Sequence, residues 1–127
     1  MIDFEDYFLQ KRIAMYYELS KREKKIAKAC IDKGLDAEFQ DGLKKIETII
    51  HDWQAGKFAG NSEAYHQLYQ TLAKQDKKIS NRYDGLTGSR WLITVVAILL
   101  DGYLSEDDIK DFSEETKSRI RFLRDEL

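Results

Sequence analysis

The residues of this chain best suited to hold a metal are two histidines and the carboxylates about one helical turn from them. Glu63-Ala64-Tyr65-His66 sets a carboxylate and an imidazole on one helical face, the pair that di-iron sites in helical bundles use. Such sites need two of these pairs and two further glutamates, and the chain has one pair. His51 and His66 lie about equally far from the middle of the Gly56 to Gly60 turn, so an antiparallel hairpin can bring them level, with Glu47 one turn from His51. Both histidines flank their apolar stripes, beside Ile50 and Tyr65, and helical phase predicts that they face solvent. His51, Glu63 and His66 are therefore one candidate set for the alternative reading, a metal- or phosphate-ligand-dependent enzyme, the other being Gly88 to Arg90; no cofactor and no metal are expected.

Three other motifs have simpler explanations than chemistry. Asp84-Gly85-Leu86-Thr87-Gly88-Ser89-Arg90 places two glycines, two hydroxyls and an arginine at a helix start, where free amides can hold an anion, but it lacks the lysine and spacing of a phosphate loop. Asp101 to Asp108 resembles the second half of an EF-hand calcium loop, yet Ala97 and Leu99 stand where the first oxygen ligands belong. A glycine helix stop followed by a serine-capped acidic turn accounts for it. The single thiol, Cys30, lies on an apolar stripe without an evident partner and reads as a small core residue.

Charge is distributed in blocks. Lys21, Arg22, Lys24, Lys25 and Lys28 form a basic patch late in the expected first helix, and Lys74, Lys77, Lys78 and Arg82 form another late in the third. Cations near helix C-termini complement the dipole without any ligand, so nucleic-acid binding through Lys21 to Lys28 stays a secondary alternative. Asp101, Glu106, Asp107, Asp108, Asp111, Glu114 and Glu115 make the sharper asymmetry, a one-signed surface able to steer a basic partner. Asp107, Asp108, Asp111 and Glu115, with Tyr103 as an aromatic anchor, are the expected partner-binding residues.

The elements that must position these groups are helices. The chain contains no proline, and glycines and polar caps recur between apolar stripes of helical spacing. A long first helix is predicted over about 4–33 from Phe4, Phe8, Met15, Leu19, Ile26 and Cys30, continuous through the capping-box spacing at Ser20 and ended by Gly34, with Asp36 capping the next. Phe39, Leu43, Ile46, Ile50 and Trp53 form the cleanest heptad seam, with Ile49 widening it, up to Gly56. Asn61 or Ser62 is expected to cap a third helix, with Tyr65, Leu68, Leu72 and Ile79 on its apolar face, antiparallel to the second. Thr87 or Ser89 is expected to cap an all-apolar helix over about 90–101, the centre of the bundle. Ser105 and Ser113 are expected to cap a short acidic helix and a last one bearing Ile120 and Leu123.

Composition bounds the rest. With 127 residues, 43% hydrophobic and 12% aromatic, the chain is expected to be one all-α domain over 1–127, a single compact bundle of about five helices. Lys plus Arg number 21 against 23 Asp plus Glu, and a net charge of -2 gives no general attraction to phosphate or anionic lipid. One cysteine excludes an internal disulfide and suits a reducing compartment. An acidic opening disfavours a signal peptide, and the apolar run at 91–100 is about half the roughly 20 residues a membrane span requires. Arg124-Asp125-Glu126-Leu127 resembles an endoplasmic-reticulum retention signal, which has no use without a leader. The expectation is a cytoplasmic, non-enzymatic interaction protein with a protein partner and no membrane role. Small regulators, immunity proteins and antitoxin-like inhibitors of bacteria and phages share its size and charge balance, a likeness of class alone. Exposed tyrosines and the long first helix also suit self-association into a homodimer.

Overall fold

The computed structural model describes residues 17–126, apart from the Ser89 side chain, so the expected stripe through Phe4, Phe8 and Met15 and the terminal Leu127 lie outside the described residues. Four α-helices make up the described chain: α1 (Lys21–Gln54), α2 (Asn61–Tyr83), α3 (Trp91–Leu100) and α4 (Glu114–Glu126). Single 3₁₀ turns at Gly88–Arg90 and Glu106–Ile109 precede α3 and α4. The all-α expectation holds; the count of about five helices does not, because two expected helices are one and the short acidic helix is a turn. No helix among the described residues is long and apolar enough to cross a membrane.

The first correction concerns α1, the longest helix among the described residues: the expected first helix is not continuous through Ser20. Residues 17–20 are not helical, and the helix begins where the Ser20 hydroxyl accepts the Glu23 amide at 3.2 Å, so the capping-box spacing marks a true start. It then runs through Gly34 without interruption. A glycine stop requires a left-handed backbone, and Gly56 (φ 73°) and Gly102 (φ 83°) have one while Gly34 does not. An interior helical glycine costs about 1 kcal/mol relative to alanine, which the apolar contacts on either side of Gly34 readily offset. Other corrections are local: Gly60 is the N-cap residue of α2 in place of Asn61 or Ser62, and Thr87 starts the first 3₁₀ turn without a side-chain cap bond.

The contacts divide the chain into two units. The first comprises residues up to Gly34 together with Gly85 onward. Its core joins Leu19, Ala27, Cys30 and Ile31 to Leu92, Val95, Val96 and Ile98 of α3 and to Ile109, Phe112, Ile120 and Leu123. Glu23, itself buried, accepts the Ser113 amide and hydroxyl at 3.1 and 3.3 Å, tying the start of α4 to the first turn of α1. The helix expected to be encased is largely but not fully covered: Leu92, Thr94, Val95, Val96 and Ile98 are buried, Trp91, Ile93, Ala97 and Leu99 are half-buried, and Leu100 is exposed.

The second unit, Leu35–Asp84, is the antiparallel hairpin of α1 and α2, closed at Gly56. Four positions of α1, in four-three-four spacing, meet α2: Glu38, Gly42, Lys45 and Ile49. Glu38 is fully buried, with Arg82 at 3.1 Å and Lys78 at 3.6 Å on its carboxylate, and Gln75 donates to its carbonyl at 2.8 Å. Lys45 donates to the Gln75 side chain at 3.2 Å. Gly42 permits the approach, since a Cβ there would sit 2.9 Å from Gln75 Cγ. Burial, followed by the nearby Glu38 carboxylate, pushes the Tyr83 phenol well above its ordinary pKa.

A buried carboxylate stripped of its buried partner keeps its desolvation penalty, whereas a partner that reaches water adds less. Arg82→Met is therefore expected to lower unfolding free energy by about 2–3 kcal/mol and Lys78→Met by about 1 kcal/mol or less. Urea melts of the two variants check the order; equal losses would assign Glu38 to both cations alike.

Candidate functional site

The candidate metal set of the alternative reading, His51, Glu63 and His66, is not brought together as a cluster. His51 is exposed on α1, and His66 is exposed on α2 with its Nδ1 3.3 Å from the Ser62 hydroxyl. Glu63 accepts the Ala59 amide at 2.9 Å, closing the turn before α2. Among the described residues no group of three or more histidine, cysteine, aspartate or glutamate side chains is placed to hold a metal ion.

The acidic segment is divided by its own ion pairs. Ser105 donates its amide and hydroxyl to Asp108 Oδ2 at 2.8 and 3.2 Å, and Lys33 reaches Asp108 Oδ1 at 2.7 Å, so Asp108 is a bracket between α1 and the second 3₁₀ turn. Burial opposes its ionisation, but the Lys33 contact and the Ser105 bonds prevail and hold its carboxyl below the usual range. Asp107 pairs with Lys110 at 3.1 Å and Glu115 with Arg119 at 3.3 Å, while both remain exposed. Asp111 is also exposed, and Tyr103 is half-buried just past the end of α3. Asp107, Asp111 and Glu115 thus share one short stretch of outer surface, and Asp108 stands apart from them in role.

The basic patch is placed differently from its expectation. Lys21, Arg22, Lys24 and Lys25 are exposed in the first turns of α1, where cations oppose the helix dipole, and Lys28 pairs with Asp32 at 3.0 Å. The dipole therefore does not account for them. Near Gly88 the neighbouring side chain is Lys24, 4.0 Å from where a Cβ would stand. Cys30 is buried, donating to the Asp108 carbonyl at 3.4 Å; burial first and the Asp108 charge second push its thiol up to about 11.

The feature that sequence reasoning missed is the outer face of the hairpin. Because α2 takes the seam through Glu38, Gly42 and Ile49, the heptad seam of α1 is left beside it: Phe39 is 51% exposed, Leu43 70% and Trp53 47%, with Ile50 also exposed. On α2, Tyr65 is 71% exposed, and Tyr69 and Leu72 are open as well. These side chains share one face. Ile50 and Trp53 line a groove of about 380 Å³ with Tyr65 and Leu68, and Phe39, Leu43 and Ile46 line another of about 320 Å³ with Leu72 and Ile79. Trp53 is fixed in place by its Nε1 donating to Asn61 at 2.8 Å. A contiguous apolar display of this kind is characteristic of binding surfaces. Its signal in the sequence was the second four-three seam running one position before the first, with a glycine in it.

A thiol with a pKa near 11 is thiolate in only about one molecule in a thousand at pH 8, against roughly a quarter for an ordinary cysteine. Native protein is expected to react with a thiol reagent at least about a hundredfold more slowly than urea-unfolded protein, and comparable rates would show that Cys30 opens to solvent. The depressed Asp108 carboxyl contributes stability above its unfolded pKa near 4 and loses it as pH falls through the lower folded value. Asp108→Asn is expected to flatten that acid limb in pH-dependent melts. Comparison with protein-family models, with curated proteins and with solved structures finds no match for this chain in any of the three.

Proposed function

We propose that this chain is a non-enzymatic interaction protein that works by binding other macromolecules. The observation that carries the reading is the apolar face of the hairpin, where side chains of the kind that dominate binding energy stand open to water. Leaving them exposed costs hydrophobic free energy that a partner surface recovers, at roughly 25 cal/mol per Å² covered. The exposed acidic stretch with Asp107, Asp111 and Glu115 offers a second, electrostatic contact suited to a basic partner. Asp108 belongs to the fold and Tyr103 is its half-buried neighbour, so the wager on the acidic side narrows to those three.

A second reading, nucleic-acid binding through Lys21, Arg22, Lys24 and Lys25, gains from their position at the wrong end of a helix for dipole compensation. Steep loss of binding with added salt would mark it.

Affinity capture from the native cell tests the first reading. Reversing Asp107 and Asp111 to lysine is expected to weaken capture of a basic partner about tenfold or more with the melting temperature unchanged. Undiminished capture removes the acidic surface from the reading. Loss of capture only in the Lys21→Glu and Lys24→Glu chain would transfer it to the basic patch.

A further inference from the structure

We infer that the apolar face of the hairpin is occupied by a second copy of this chain, related by a twofold axis that crosses the middle of the α1 seam and packs the two hairpins into an antiparallel four-helix bundle. The inference rests on the reading of that face as a binding surface and names its occupant.

Three observations select a copy over any other cover. First, α1 carries two parallel seams: the polar one through Glu38 and Gly42 packs against α2, while the apolar one touches α2 along its edge and leaves Phe39, Leu43, Ile50 and Trp53 exposed. The open seam has the strict four-three-four-three spacing that a facing helix of the same period interlocks with. Second, that seam reads alike in both directions: Phe39 and Trp53 at its ends, Leu43, Ile46 and Ile50 between. A twofold axis through its middle sets aliphatic side chains against aliphatic ones and each aromatic end opposite the other, which is the self-complementarity an isologous interface requires. Third, the open area is sizeable. Phe39, Trp53 and Tyr65, at their fractional exposures, present roughly 250–420 Å² given aromatic side chains of roughly 150–250 Å² each, and Leu43, Ile50 and Leu72, also exposed, add further apolar surface. One partner in a standard stable interface contributes about 800 Å². The grooves of about 380 and 320 Å³ lie near the two ends of the face, where the aromatic ends of a reversed copy arrive.

The test is sedimentation or light scattering of the full chain from about 1 to 100 μM, with Leu43→Lys and Tyr65→Lys as face variants and Lys74→Glu, also on α2, as control. A dimer that the two face variants weaken at least tenfold, with helical content and melting otherwise retained, and that Lys74→Glu leaves intact, supports the inference. Orientation is read by cysteine cross-linking: Ile46→Cys, near the axis, is expected to form a disulfide between copies. Phe39→Cys is not, because seven residues at 1.5 Å rise from the axis leave the two copies of that site about 20 Å apart. Cross-linking at both positions would mean a parallel pairing and overturn the arrangement. A chain that stays monomeric at about 100 μM, or a dimer indifferent to both face variants, overturns the second copy as occupant. If that monomer captures another protein through the same face, with capture lost in Leu43→Lys, the interaction reading stands while this inference fails.

Discussion

The hairpin depends on one carboxylate. Glu38 is removed from water inside α1's contact with α2, and an ion so placed costs several kcal/mol unless counter-charges and hydrogen bonds replace its hydration. Arg82 and Lys78 place their charges on one carboxylate oxygen, Oε1, and Gln75 bonds to the backbone carbonyl of the same residue, while the buried Oε2 has no hydrogen-bond partner. All three come from the last turns of α2, one face of that helix at three- and four-residue steps, so a rotation or a shift of α2 would take them away from Glu38 together. Gly42, a turn further along, lets the backbones close around Gln75. Polar specificity, not apolar area, thereby decides which side of α1 is inside.

That decision has an outward consequence. A hairpin held by its hydrophobic seam would present a charged exterior and need nothing more. Here the strongest hydrophobic seam of the chain is displaced to the outside, with tyrosines and Leu72 of α2 beside it, while the first unit hides its own apolar residues in a conventional core. The two ends of the molecule's chemistry are therefore distinct: an acidic stretch before and at the start of α4, partly neutralised by Lys110 and Arg119, and an apolar sheet of side chains on the hairpin.

Much of this was legible from residue types alone. The stops at Gly56 and Gly102, the cap at Ser113 and the burial of Cys30 each follow from local rules that the tertiary structure leaves in force. Gly34 was misread because a glycine ends a helix only when the chain beyond it has somewhere else to go, and here the helix continues into the Glu38 contact. Asp108 has a place in the fold that local spacing does not show: Ser105 lies three residues away, but Lys33, seventy-five residues earlier, is brought to it only by folding. The exposed seam is the sharpest case. Periodicity reports that a face is apolar and is silent on whether this chain covers it, and a neighbouring seam built from a glutamate, a glycine, a lysine and an isoleucine does not advertise itself as the one that packs.

The clasp between Glu23 and Ser113 spans ninety residues, whereas every tie within Leu35–Asp84 is formed across a single turn and its two arms. Closing a long loop carries an entropy cost that grows with its length, and contacts between distant stretches of chain form late. The hairpin lies inside the loop that the clasp must close, so its folding shortens the path: once α1 and α2 have zipped together, about fifty residues of slack are gone and the two halves of the other unit search for each other over a much smaller volume. Loop length thus favours closing the inner segment before the outer ones, by an amount that grows only slowly with length.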